Sequence, residues 1–278
     1  MKKKKKRKLN KKGKILLFII FTIIIIICFL AFKPKTKDEQ ENKQLKVDNQ
    51  VNVKDITNDK KEEVIDYKLR EGEEIVDKTD KGFIITKLND VYYVDGILIV
   101  NKSYPLPSNY KPVSPYKEIT KDYLYGGDYI EDYVMDAYLK MKNDAEKAGI
   151  SLKITSGYRS YSVQEELYES YKQRDGKKEA DTYSARAGYS EHQSGLCFDL
   201  NGTNRNFINT KEGKWLNNNC YKYGFTLRFP EGKEEYTGYM YEGWHFRYVG
   251  VELATKLYNN GNWISLEEYY GIESRYNN

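Results

Sequence analysis

The 278-residue chain contains only two histidines, His192 and His245, and each stands near carboxylates at a spacing that suits a bound metal ion. The first lies in Ser190-Glu191-His192-Gln193-Ser194-Gly195-Leu196-Cys197-Phe198-Asp199, the second in Glu242-Gly243-Trp244-His245. A catalytic zinc keeps three nitrogen or oxygen ligands and leaves its fourth position to water or substrate. His192, Asp199 and His245 supply that number and those types, and Glu242 is the natural base for the water. A single histidine on a strand is more often a hydrogen-bonded core residue. Two as the full complement, each in such a segment, favour metal.

These side chains need elements to position them. A strand over residues 196–200 puts Cys197 and Asp199 on one face and Leu196, Phe198 and Leu200 on the other. A strand over 152–155 leads into Ser156-Gly157-Tyr158-Arg159-Ser160, and Ser162-Val163-Gln164-Glu165 reads as a capping box opening a helix that ends at Gly176. Arg159 thus falls in a strand-to-helix loop, a common place for binding residues. Ile130, Val134, Ala137, Met141, Ala145 and Ala148 recur at spacings of three and four, which predicts a helix over 128–149 with Gly149 as its stop. A helix over 211–223 capped by Gly224, strands over 225–229 and 244–248, and a helix over 251–259 complete the set. Glu242 and His245, three apart, then sit in a turn entering a strand, where both can face one cavity. Short strands are also expected at 74–77, 83–86 and 91–94, followed by an extended segment from Ile97 through Pro107. The fold class is α+β: a small antiparallel sheet flanked by helices over 97–278, after a small β-rich lead-in over 67–96.

The N-terminal part has a different composition. Residues 15–32, ILLFIIFTIIIIICFLAF, are an unbroken apolar run, about 27 Å long as a helix at roughly 1.5 Å per residue, close to the hydrocarbon thickness of a bilayer. Ten Lys and Arg precede it without an acidic residue, which predicts a cytoplasmic segment 1–14, one transmembrane helix 15–32 and everything after it outside the cell. An uncleaved anchor fits better than a cleaved signal peptide, because Ala-Phe-Lys-Pro is a poor cleavage site. Residues 33–66 are rich in Lys, Asp, Glu, Asn and Gln and read as a disordered charged linker, spanning roughly 30 to 35 Å as a flexible coil. The net charge of +5 is misleading: without the ten N-terminal cations, 36 basic residues stand against 41 acidic ones. Nucleic acid is therefore excluded as a partner, and the basic cluster fits topology and anionic lipid.

Four stretches, ILIVNKSYPLP, SGYRSYSVQ, YSARAGYSEHQSGLCFDL and EGWHFRYVG, resemble in order the VanY-type D-alanyl-D-alanine carboxypeptidases of the zinc DD-peptidase family, which includes bacterial L,D-carboxypeptidases. The resemblance covers roughly 97–251. It implies one zinc held by His192, Asp199 and His245, Glu242 as catalytic base, and Arg159 as binder of the substrate's terminal carboxylate, with Gln164 and Ser184 as helpers. The family often has proline where this chain has Ala187 and Gly243; neither departure removes a ligand.

The implied activity is removal of the C-terminal D-alanine from peptidoglycan stem peptides outside the membrane. The alternatives are L,D-carboxypeptidase action on tetrapeptide stems and a non-catalytic module that binds wall peptides. A guanidinium fork suits a free carboxylate through paired, charge-assisted hydrogen bonds. Cys197, facing the same way as Asp199, could be imagined as a fourth zinc ligand; a small buried apolar side chain is the favoured reading, and a disulfide with Cys220 is not expected.

Overall fold

The computed structural model describes residues 67–114 and 130–276. The expected basic segment, anchor and linker, and the helix start at Asp128, lie outside those residues. Among the described residues no helix is long and apolar enough to cross a membrane.

Two four-stranded antiparallel sheets and the helices around them make up one compact unit, Leu69–Asn278. The first sheet runs in chain order through β1 (Glu74–Lys78), β2 (Ile84–Leu88), β3 (Val91–Val94) and β4 (Ile97–Leu98). Asn89 and Asp90 turn β2 into β3 with φ of 50° and 61°, and Asp95-Gly96 turns β3 into β4 at 50° and 76°. Such two-residue turns with positive φ match the right-handed twist of the strands they join, and Asn, Asp and Gly tolerate the conformation best. Ile97, expected to begin the catalytic domain, therefore pairs with Val94 in a hairpin of this first sheet.

The second sheet has the order β5 (Ile154–Ser156), β6 (Cys197–Leu200), β8 (Glu242–Tyr248) and β7 (Phe225–Phe229). Both central strands bury almost every residue, so β6 reads as a continuous run rather than an alternation. Phe198, Leu200, Phe225 and Phe246 face the core with α1 (Asp132–Lys147), which contributes Val134, Met135, Tyr138, Met141 and Ala145. The expected stripe shifts here: Met135 and Tyr138 join it, while Ala148 is exposed, because the last turn runs past the core toward Gly149 at φ 72°.

The helix after the SGYRS loop is α2 (Tyr161–Asp175), followed by α3 (Lys177–Tyr183). Its N-cap is Ser160, whose hydroxyl accepts the Val163 N–H, so the expected capping box at Ser162–Glu165 is replaced by a cap two residues earlier. The backbone is extended at Ser160 and already helical at Tyr161, so Ser162 falls inside the first turn, its hydroxyl 3.2 Å from that of Ser160. The remaining helices are α4 (Lys211–Asn219), α5 (Glu234–Thr237), α6 (Val251–Tyr258) and α7 (Leu266–Tyr270). The helix expected to run to Tyr223 tightens after Asn219 into a 3-10 turn, and Gly224 ends it at φ 88°.

Candidate metal centre and substrate cleft

His192 sits in a single 3-10 turn, Glu191–Ser194, that drops the chain into β6 through Gly195 in the left-handed conformation. Its Nδ1 lies 2.6 Å from the Gly157 carbonyl, and its own carbonyl accepts the Arg159 N–H at 3.1 Å. The turn and the SGYRS loop are therefore held together by one backbone hydrogen bond and by the His192 ring resting on the loop's backbone. Asp199 on β6 and His245 on β8 are direct cross-strand partners, which brings side chains 46 positions apart in the sequence to one point.

Asp199 Oδ1 lies 3.2 Å from His245 Nδ1, and Asp199 Oδ2 lies 3.6 Å from His192 Nε2. The imidazole rings stand at 90° with centroids 5.0 Å apart. Two ligands each about 2.1 Å from a tetrahedral zinc stand roughly 3.4 Å from one another, so these separations suit a shared ion. Asp199 Oδ1 is buried and has no hydrogen-bond partner, which a cation between the three side chains would remedy. The donor set fits zinc. The histidines hold the Asp199 carboxyl far below the usual carboxylate range despite its burial.

Glu242 Oε2 lies 3.6 Å from His245 Nδ1. The structure corrects the expected turn: Glu242 is already in β8, where residues three apart on a regular strand face opposite ways. The β7–β8 register shifts between Leu227, which pairs with Phe246, and Phe229, which pairs with Glu242. That irregularity breaks the alternation and turns both side chains into one cleft. Burial pushes the Glu242 carboxyl up to about 7, with the Asp199 charge adding to the shift and His245 opposing it. A Cβ on Gly243 would meet the Tyr241 hydroxyl at 2.5 Å, so Tyr241 occupies the space that a larger residue there would need.

The cleft measures about 360 Å³ and is lined by all seven residues singled out in the sequence: Arg159, Gln164, Ser184, His192, Asp199, Glu242 and His245. Arg159 donates Nη1–H to Gln164 Oε1 at 2.7 Å and Nη2–H to Ser156 Oγ at 3.2 Å, while Gln164 Nε2 donates to the Ala185 carbonyl at 2.6 Å. No carboxylate pairs with Arg159 among the described residues, and its buried Nε has no partner. A half-buried guanidinium steered only by neutral groups is prepared for an anion from outside.

Cys197 is fully buried, and a sulfur-containing triad with His192 and His245 has its ligand atoms within 4.8 Å of one another, as has the triad of Asp199, Glu242 and His245. Cys197 does not line the cleft. Cys197 and Cys220 are both free. One residue of the centre escaped sequence reasoning altogether: Glu191, whose Oε2 lies 3.4 Å from His245 Nε2. Arg228 and Arg247 hold its carboxyl below the usual range although it is buried. Adjacency to His192 gave no cue, because those partners come from β7 and β8.

The chain is similar to known carboxypeptidases in sequence and in fold. The family described as "VanY: D-alanyl-D-alanine carboxypeptidase" matches residues 127–251. The putative carboxypeptidase YodJ of Bacillus subtilis (strain 168) is 38% identical over 201 residues, covering 66% of this chain and 73% of its own. Among solved structures, the LdcB LD-carboxypeptidase is 38% identical with a TM-score of 0.58, over 69% of this chain and 98% of that one. A mutant of a vancomycin-resistance D,D-pentapeptidase VanY, in complex with Zn(II), is 34% identical with a TM-score of 0.50, over 62% and 96%. The chain belongs to the VanY family of D-alanyl-D-alanine carboxypeptidases.

Proposed function

We propose that this protein removes the C-terminal D-alanine from peptidoglycan stem peptides, using one zinc held by His192 Nε2, Asp199 and His245 Nδ1. The observation that carries the reading is the buried Asp199 carboxylate between the imidazoles, its unpartnered Oδ1 at 3.2 Å from His245 Nδ1 and its Oδ2 at 3.6 Å from His192 Nε2, with Glu242 and Arg159 lining the same cleft. Zinc in this position supplies Lewis acidity, polarising a carbonyl and lowering the pKa of water to roughly 7. Glu242 accepts the proton of the attacking water and delivers it to the departing amine. Arg159 binds the terminal carboxylate, and Gln164, fixed on the Ala185 carbonyl, orients the guanidinium. Ser184 lines the same cleft and contributes a hydroxyl to substrate binding.

The preference between bonds follows the residue before the scissile one. D,D-cleavage of pentapeptides is the first reading. L,D-cleavage of tetrapeptides is the second, favoured by the LD-carboxypeptidase's larger coverage and TM-score. The apolar run 15–32 and the cations before it support a single-pass anchor with the catalytic unit outside, and linker 33–66 lets that unit reach wall material above the membrane. Mass spectrometry of purified pentapeptide and tetrapeptide stems, incubated with and without chelator, tests the proposal. Loss of one alanine from either substrate, abolished by chelator, is the expected result. Binding of stem peptides without release of alanine identifies a non-catalytic module instead.

A further inference from the structure

Behind the metal centre lie four buried charges that the proposed reaction does not use: Glu191, Arg228, Arg247 and Glu267, none more than 4% exposed. Arg228 on β7 donates Nε–H to Glu191 Oε1 at 2.7 Å and both terminal nitrogens to Glu267 on α7 at 2.8 and 2.6 Å. Arg247 on β8 donates Nη1–H to the same Glu191 oxygen at 3.0 Å and Nη2–H to the Leu98 carbonyl of β4 at 2.7 Å. Glu267 also accepts from Asn101 Nδ2 at 3.0 Å. Two carboxylates and two guanidiniums balance in charge, and Glu191 Oε1 is fully occupied by them. Its other oxygen, Oε2, is left for His245 Nε2 at 3.4 Å.

An imidazole offers a metal whichever nitrogen its other contact leaves unprotonated. For His192 that contact is the Gly157 carbonyl on Nδ1, which leaves Nε2 toward Asp199. For His245 it is Glu191 on Nε2, which leaves Nδ1 toward Asp199 and Glu242. The two histidines are thus steered into opposite tautomers, one by backbone and one by a buried ion network.

We infer that Glu191 is a positioning residue. Clamped by Arg228 and Arg247, and through Arg228 by Glu267 of α7, it fixes His245 as the Nε2–H tautomer and so holds the zinc donor nitrogen in place. Leu98, Asn101 and Glu267 all lie outside the family-matched residues 127–251, so segments on both sides of that span support the metal centre. The inference rests on the proposed zinc reading, and its test separates the two.

The full chain, labelled with ¹⁵N-histidine and carrying no added histidine, gives only two imidazoles to observe. Long-range ¹H–¹⁵N correlation of the zinc-loaded protein is expected to show one ring protonated at Nδ1 and one at Nε2. Two rings protonated at the same type of nitrogen overturn the assignment. In Glu191→Gln, zinc affinity measured by chelator competition falls roughly 10- to 100-fold, the usual range for a lost outer partner of a metal-ligating histidine. Unchanged affinity in the folded variant overturns the inference; if the variant does not fold, the wild-type tautomers decide. Opposite tautomers with no alanine release sink the hydrolase reading alone, and alanine release with identical tautomers sinks the positioning role alone. A chain that takes up no zinc overturns both.

Discussion

Replacing Arg159 by alanine separates substrate recognition from metal binding. Two terminal nitrogens of this guanidinium are aligned by Gln164 and Ser156, and its Nε has no partner, so a bound carboxylate gains at least two charge-assisted hydrogen bonds. At roughly 1.5 to 3 kcal/mol each, these are worth about 3 to 6 kcal/mol. With about 1.4 kcal/mol per factor of ten, kcat/KM on a stem pentapeptide falls by roughly two to four orders of magnitude in Arg159→Ala. Zinc content stays at the wild-type level, because what ties this loop to His192 is backbone: the Arg159 N–H to the His192 carbonyl, and the Gly157 carbonyl to Nδ1.

The decisive assay pairs the variant with a substrate whose terminal carboxylate is converted to an amide. Wild-type protein loses the same two to four orders of magnitude on the amide, whereas Arg159→Ala loses little more, since the partner is already gone. Arg159→Lys keeps the charge without the fork and recovers about half of the lost free energy. Additive losses from amide and variant refute carboxylate recognition by Arg159. Equal losses of zinc and activity refute the separation of roles.

Glu242→Gln keeps the side-chain shape but cannot take a proton, so alanine release drops by roughly 10²- to 10⁴-fold with zinc retained; since the base must be ionised, and a bound cation draws its pKa below the value of about 7 set by burial, wild-type release falls as pH is lowered below about 7, and undiminished release under acid conditions that protonate an ordinary carboxylate argues against this base. Removal of zinc by chelator abolishes alanine release and re-addition restores it; activity that persists in metal-free protein, checked by atomic absorption, refutes the metal reading. Gly195→Ala puts a Cβ 2.8 Å from Pro112 Cγ at φ 70°, at a cost of about 2 to 4 kcal/mol from left-handed strain and overpacking, read as a lower denaturant midpoint; a shift under about 0.5 kcal/mol contradicts the argument. Cys197→Ala retains zinc and alanine release; a loss of zinc affinity of about tenfold or more would make the sulfur a ligand.

Much of the site could be read from local pattern. Strand periodicity put Asp199 in a buried position on β6, the scarcity of histidine isolated His192 and His245, and Arg159 fell in the strand-to-helix loop as expected. Local pattern failed at the ends of elements. Ser162–Glu165 has the spacing of a capping box, yet the chain is already helical at Tyr161, and Ser160 caps the Val163 N–H instead. The stripe on α1 reached Ala148 in sequence, but the core ends before it.

Residue types and short-range spacing determined the chemistry available to this chain, its α+β class and the donors a zinc would need, because those depend on neighbours a few positions apart. Tertiary structure alone decided how the donors are aimed. Glu191 meets Arg228 and His245 across 37 and 54 positions, and Arg228 meets Glu267 across another 39. The shift in β7–β8 pairing that turns Glu242 toward His245 likewise exists only once two distant strands lie side by side. Such contacts form through the packing of whole elements, and no local period along the chain encodes them.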